Sequence, residues 1–232
     1  MSATSSRSVP AAPPSQPLAA AVLQAQDLAG RRGRRLLFKG LNLQLPAGSI
    51  TWLRGRNGSG KTSLLRILAG LSSPAHGTVL LGGQPLAGGS AAANAAAGAL
   101  LYIGHANALK DDLTLAEALA FLARLQGLDD APARARAALH TLGLASRQDA
   151  PVRTLSQGQR RRGALARLAL DDAPRSWILD EPFDALDQDS VTLLAGLVSA
   201  HAARGGAVLM TSHQAVHLPG AVEFDLEPYR AA

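Results

Sequence analysis

The segment Gly55-Arg56-Asn57-Gly58-Ser59-Gly60-Lys61-Thr62 constrains this chain more than any other stretch. It matches the phosphate-binding loop pattern, two glycines five positions apart followed by Lys and Thr. Glycines let the backbone turn its N–H groups inward as a cradle for phosphate oxygens. A helix starting near Thr62 would add its positive N-terminal end. In such a loop Lys61 reaches the β- and γ-phosphates, the Thr62 hydroxyl binds Mg²⁺ and Ser63 adds a phosphate contact. Gly55, Asn57, Gly58, Ser59 and Gly60 are the cradle. The lysine stands out in this chain: of 23 basic residues only Lys39, Lys61 and Lys110 are not arginine.

The flanks fit the loop. Ile50 to Arg54 reads as a short strand, and Thr62 to Ala69 as a helix stopped by Gly70. Further strands are expected at 21–28, at 36–45 before the Pro46-Ala47-Gly48 turn, at 78–81 before Gly82-Gly83, at 176–179 and at 207–211. Helical spacing covers 114–145, as two or three helices, and 156–169. Strands alternating with helices around such a loop predict an α/β P-loop NTPase core containing a parallel sheet. The helical block at about 106–170 interrupts that core as a subdomain. Residues 1–20, rich in Ser, Pro and Ala, read as a flexible tail, and 86–99 as a low-information insertion. One domain over 21–232 is the expected organisation.

Bulk properties exclude several classes. Cysteine is absent, which rules out a disulfide framework and suits a reducing cytoplasm. Aromatic residues make up 3%, too few for a base-stacking surface, and a net charge of +6 does not compel nucleic-acid binding. Arginines cluster at Arg31, Arg32, Arg34 and Arg35 and again at Arg160, Arg161 and Arg162, where the plain reading is a solvated basic face. No apolar run approaches the ~20 residues of a membrane helix, and the first residues lack a signal-peptide pattern. The expectation is a soluble protein that reaches a membrane only through partners.

Two more motifs complete a site. Trp177-Ile178-Leu179-Asp180-Glu181-Pro182 is an apolar strand ending in two acids. Asp180 at the strand tip is the candidate Mg²⁺ holder, and Glu181 the candidate general base that polarises an attacking water. Leu155-Ser156-Gln157-Gly158-Gln159 places Ser156, Gly158 and Gln159 at a helix N-terminus, a second anion-binding position.

The order of loop, Ser-x-Gly helix and Asp-Glu strand resembles the ABC ATPases, over about residues 21–215. LSQGQRRRGALARLAL is similar to their signature motif, with Gln157 where the first glycine usually stands. Asp184-Ala185-Leu186-Asp187 resembles the dimer-contacting loop. His213 resembles the switch histidine that contacts the γ-phosphate. His105 occupies the position where a glutamine usually lies, and its proton would vary with pH. The aromatic that normally stacks on adenine is missing near Arg32, whose guanidinium plane is the candidate replacement.

This resemblance implies ATP and Mg²⁺ as ligands and a homodimer with two sandwiched sites. Gly58, Lys61, Thr62, Asp180, Glu181 and His213 would act in cis, and Ser156 and Gly158 in trans. Narrower strings, LYIGH at 101–105, WILDEPFDALD at 177–187 and TSHQ at 211–214, are similar to the haem exporter ATP-binding family of bacterial cytochrome c maturation, CcmA. That likeness implies CcmB-like and CcmC-like membrane partners and a peripheral position on the cytoplasmic face of the inner membrane. The alternatives are the ATPase of another exporter, of lipid, drug or polysaccharide, and a soluble ABC ATPase acting on nucleic acid or ribosomes. A non-catalytic regulatory dimer fits less well, because Glu181 and His213 are both in place.

Overall fold

A computed structural model describes residues 21–86, 98–214 and 216–231. The expected tail at 1–20 and most of the expected insertion at 86–99 lie outside the described residues.

Two sheets divide the work. The first is antiparallel, in the order β2-β1-β4-β5, with β1 (Ala21–Arg32), β2 (Arg35–Pro46), β4 (His76–Leu81) and β5 (Gln84–Pro85). The second is wholly parallel, in the order β6-β7-β8-β3-β9, with β3 (Ile50–Arg54), β6 (Leu100–Ile103), β7 (Ser176–Leu179), β8 (Ala207–Met210) and β9 (Ala221–Asp225). The mixed character of the α/β core is thus split between two sheets.

Alternation along the parallel strands explains why both faces are covered. Leu53, Ile178, Ala207 and Leu209 point into one apolar cluster, shared with Phe38 and Leu41 of the antiparallel sheet and with Leu64, Leu65 and Leu68. Those three leucines lie on α1 (Lys61–Leu68), whose apolar positions recur at helical spacing. Ile50, Trp52, Trp177, Leu179, Val208 and Met210 point the opposite way, against Val191, Leu194 and Val198. Strands buried on both sides read as continuous apolar runs, as β7 and β8 here do. Each fully buried Leu or Phe contributes roughly 1.5–3 kcal/mol.

A third cluster belongs to the helices between the two parts of the parallel sheet. It joins Leu115, Leu119 and Ala123 of α2 (Leu115–Leu125), Ala135 and Leu139 of α3 (Ala131–Thr141), and Leu155 before α4 (Gln157–Leu165). Thr114 opens α2 with a capping box: its hydroxyl accepts from the Glu117 N–H, and the Glu117 carboxylate accepts from the Thr114 N–H. Helix α4 ends sooner than the periodicity predicts, because Ala166–Ala169 tightens into a 3₁₀ turn.

Four elements go beyond the set expected from sequence: the two-residue β5, β6, α5 (Gln188–Ala203) and β9. Helix α5 starts at Asp187, whose side chain accepts from the Ser190 N–H at 2.9 Å, and its Val191, Leu194 and Val198 recur at helical spacing. That signal was present in the sequence. Strand β9 is mostly exposed and pairs with β3, which lies far away along the chain.

Candidate active site

Strand β3 and helix α1 hold the Gly55–Thr62 loop between them. Gly55, Gly58 and Gly60 adopt φ of +147°, +76° and +106°, which side chains with a Cβ rarely take. The Lys61 ammonium lies over the loop and donates to the Gly55 carbonyl at 2.7 Å and the Arg56 carbonyl at 3.3 Å. Ser59 is buried and its hydroxyl has no partner. The loop is also pinned from the far end of the chain: the Arg56 N–H donates to Glu227 Oε1 at 2.8 Å.

Strand β7 sits between β6 and β8 and delivers two acids at its tip. Asp180 is 4% exposed. Its N–H donates to the Ile103 carbonyl, and its Oδ1 accepts from the Thr211 hydroxyl at 2.9 Å. The same hydroxyl accepts from the Glu181 N–H at 2.9 Å, so Thr211 ties the two acids together. Glu181 has a φ of +48°, an uncommon left-handed conformation for a residue with a Cβ. Its carboxylate faces His213 twice: Oε2 accepts from the His213 N–H at 2.9 Å, and Oε1 lies 3.5 Å from His213 Nε2.

These groups converge. One cavity of about 260 Å³ is lined by Asn57, Gly58, Gly60, Lys61, Thr62, Asp180, Glu181 and His213, together with Arg32 and Arg56. A neighbouring cavity of about 440 Å³ shares Arg32 and Thr62 with it and adds Arg31, Arg66 and Ser63. Together they offer backbone N–H donors, several cations and two carboxylates, a set suited to a polyphosphate beside a metal ion. The metal donors are oxygens, the Thr62 hydroxyl and the Asp180 carboxylate, which suits a hard cation such as Mg²⁺. No group of three metal-ligating side chains occurs among the described residues. Such an ion would therefore take its remaining ligands from phosphate and water.

Other candidates lie elsewhere. Ser156 caps α4, accepting from the Gln159 N–H at 3.2 Å while Gln159 Oε1 accepts from the Ser156 N–H at 3.0 Å. Gly158 lies close to the Ala185 carbonyl, 3.0 Å from where a Cβ would stand. Neither Ser156, Gly158 nor Gln159 lines the phosphate cavity of its own chain. His105 is exposed after β6 and does not line it either. The first arginine cluster is exposed, as expected, but the second is not uniform: Arg161 is buried.

Sequence reasoning did not reach Thr211 or Glu227 as parts of the site. Glu227 acts through one hydrogen bond to a distant backbone and Thr211 through bonds to Asp180 and Glu181, far away along the chain, which leaves no spacing to read.

Comparison with known proteins agrees with this geometry. Residues 38–184 match the ABC transporter family model. The cytochrome c biogenesis ATP-binding export protein CcmA of Pseudomonas putida is 50% identical over 194 residues, covering 82% of this chain and 89% of that protein. The protein of the same name from Nitrosospira multiformis is 44% identical, covering 86% and 95%. Among solved structures, an ATP-binding subunit of an ABC transporter is 26% identical with a TM-score of 0.73, covering 83% of this chain and 79% of that one. A bacterial ABC transporter cassette solved as a dimer has a TM-score of 0.78 at 19% identity, covering 88% and 94%, and shares the fold.

Proposed function

From a chain that belongs to the ABC transporter family, and within it to the cytochrome c biogenesis ATP-binding export proteins, we infer an ATP-hydrolysing transporter subunit that serves cytochrome c maturation. The observation that carries the catalytic part is the cavity in which Lys61, Thr62, Asp180, Glu181 and His213 meet.

In this reading Gly55–Thr62 binds the triphosphate of ATP, with Ser63 beside it. Lys61 leaves the Gly55 and Arg56 carbonyls to grip the β- and γ-phosphates. Thr62 and Asp180 hold Mg²⁺, which when bound neutralises charge developing on the phosphates. Glu181 orients and polarises the attacking water as general base, and His213 fixes the Glu181 carboxylate and contacts the γ-phosphate. Two copies pair head to tail, so that Ser156, Gly158 and Gln159 of one close over the nucleotide of the other. A cassette of the same fold is solved as a dimer, which supports a dimeric arrangement. Residues 21–232 act as one ATPase domain, with a helical subdomain at about 106–170. The His105 loop at its hinge passes motion to membrane partners of the CcmB and CcmC type, and haem is the proposed cargo of the pathway. No helix among the described residues is long and apolar enough to cross a membrane, so attachment to the inner membrane runs through those partners.

Glu181→Gln tests the chemistry. Turnover is expected to fall by on the order of 10²-fold or more while an ATP-bound dimer accumulates in size-exclusion chromatography. Unchanged turnover would remove Glu181 from the role of base. Co-purification from detergent-solubilised native membranes tests the pathway. Recovery of a multi-span partner with haem-handling proteins supports it, and recovery of an unrelated permease discards the haem reading alone.

A further inference from the structure

Helix α4 carries a buried arginine that the ATP site leaves without a role. Arg161 is 4% exposed, and its partners are backbone carbonyls rather than carboxylates. Nη1 donates to the Gly104 carbonyl at 2.9 Å, and Nη2 donates to the carbonyls of Asp180 at 3.1 Å and Glu181 at 2.7 Å. Burying a guanidinium is costly unless its donors are used; three separate bonds use donors on Nη1 and Nη2, while Nε has no partner. Burial pushes its pKa below the usual arginine range, while the charges of Asp184, Asp180 and Glu181 act against that shift.

The three carbonyls belong to two functional segments. Asp180 and Glu181 are the acids at the tip of β7, and Gly104 precedes His105 on the loop leading toward α2. Glu181 holds a φ of +48°, a conformation that persists only where its surroundings over-determine it. The clamp is visible: Thr211 Oγ1 accepts from the Glu181 N–H, and Arg161 donates to the carbonyls on both sides of that residue. Arg161 therefore fixes the backbone from which the Glu181 carboxylate projects. It does so from the helix that Ser156 caps, and the same helix touches the Ala185 carbonyl through Gly158.

We propose that Arg161 is a positioning residue, which holds Glu181 in its working conformation and makes that conformation depend on where helix α4 lies. The proposal rests on Glu181 being the base. It gives one chain a physical link from the helix end that meets the partner's nucleotide to the acid that works on its own. Lysine cannot replace Arg161, because one ammonium on a flexible stem does not span three carbonyls in a fixed fork.

The test uses the full chain with Arg161→Met, Arg161→Lys, Thr211→Val and the double variant Arg161→Met/Thr211→Val, with Glu181→Gln as reference. A displacement of about 1 Å in a reacting group costs on the order of 10²-fold, and kcat of both Arg161 variants is expected to fall by that order. The Kd for ATP, measured by calorimetry, should stay within about threefold, since the phosphate loop is untouched. The double variant should lose little more than the worse single one, because both residues clamp the same peptide. The proposal is overturned if kcat of Arg161→Lys stays within about threefold of the parent, if kcat and ATP affinity fall in step, or if the losses multiply. Should Arg161→Met not fold, Arg161→Lys carries the comparison. Retained turnover in Glu181→Gln would instead remove the base assignment, a separate outcome.

Discussion

Gly60 shows how much a single residue decides. It sits at the start of α1 with a φ of +106°, and a Cβ there would lie 3.1 Å from the Leu37 Cβ. Gly60→Ala is expected to cost about 1–3 kcal/mol of stability from backbone strain, read by urea unfolding. ATP affinity should fall with it, because the Lys61 and Thr62 backbone is displaced. Residues of this kind were legible from sequence, since the loop chemistry demands glycine, lysine and threonine at fixed offsets. Asp180 and Glu181 were legible as acids ending an apolar strand. Thr211, Arg161 and Glu227 were not, because each works through bonds to the backbone of a segment far away along the chain. Arg161 was even hidden by its surroundings, since three arginines in a row read as a wet surface. His105 shows the opposite limit: it holds the place in a motif where a glutamine usually lies, yet in the single chain it lies exposed and off the cavity.

Helix α5 makes the same point for whole elements. Its buried face ends in His201, whose ring stacks on Trp177 at a centroid distance of 3.5 Å and whose Nε2 donates to the Arg175 carbonyl at 2.8 Å. Burial, the largest influence, holds the His201 pKa below its ordinary 6.5, although the bond to Arg175 opposes that shift. A depressed folded pKa means that the unfolded chain binds the proton more readily. The stability that His201 supplies is thus present above pH 6.5 and is lost as pH falls through and below it, at up to about 1.4 kcal/mol per pH unit. Denaturant unfolding between pH 7.5 and 5 should show that decline, and His201→Gln should flatten it. The strands flanking the phosphate loop could be read from short apolar runs between turn residues. Strand β9 could not, because it is mostly exposed and is defined by pairing with β3. The sequence pattern extends α4 past Leu165, because alanine and leucine suit an α-helix and a 3₁₀ turn alike.

The α/β class of the whole molecule followed from alternating strands and helices, but its division into two sheets did not, since pairing partners are set by packing rather than by local pattern. Two of the apolar clusters border the elements that frame the nucleotide site, β3 and α1 for one and β7 and β8 for the other. Binding there should therefore stabilise the whole chain. At 100 times its Kd, Mg²⁺-ATP is expected to add about 2.7 kcal/mol, a rise of roughly 5–11 °C in Tm for a chain of this size. Lys61→Ala should abolish most of that rise in a thermal shift measurement. The position of β3 has a consequence in time as well as in space. It lies between β8 and β9, and Glu227 closes the hydrogen bonding of the loop that follows it. The loop leaves the ribosome early, yet its last neighbours are made about 170 residues later, roughly 10–30 s at ordinary rates of synthesis. For that interval the nascent chain carries a phosphate loop without a finished sheet beneath it, so the ability to hold nucleotide is expected only once β9 and Glu227 have been made.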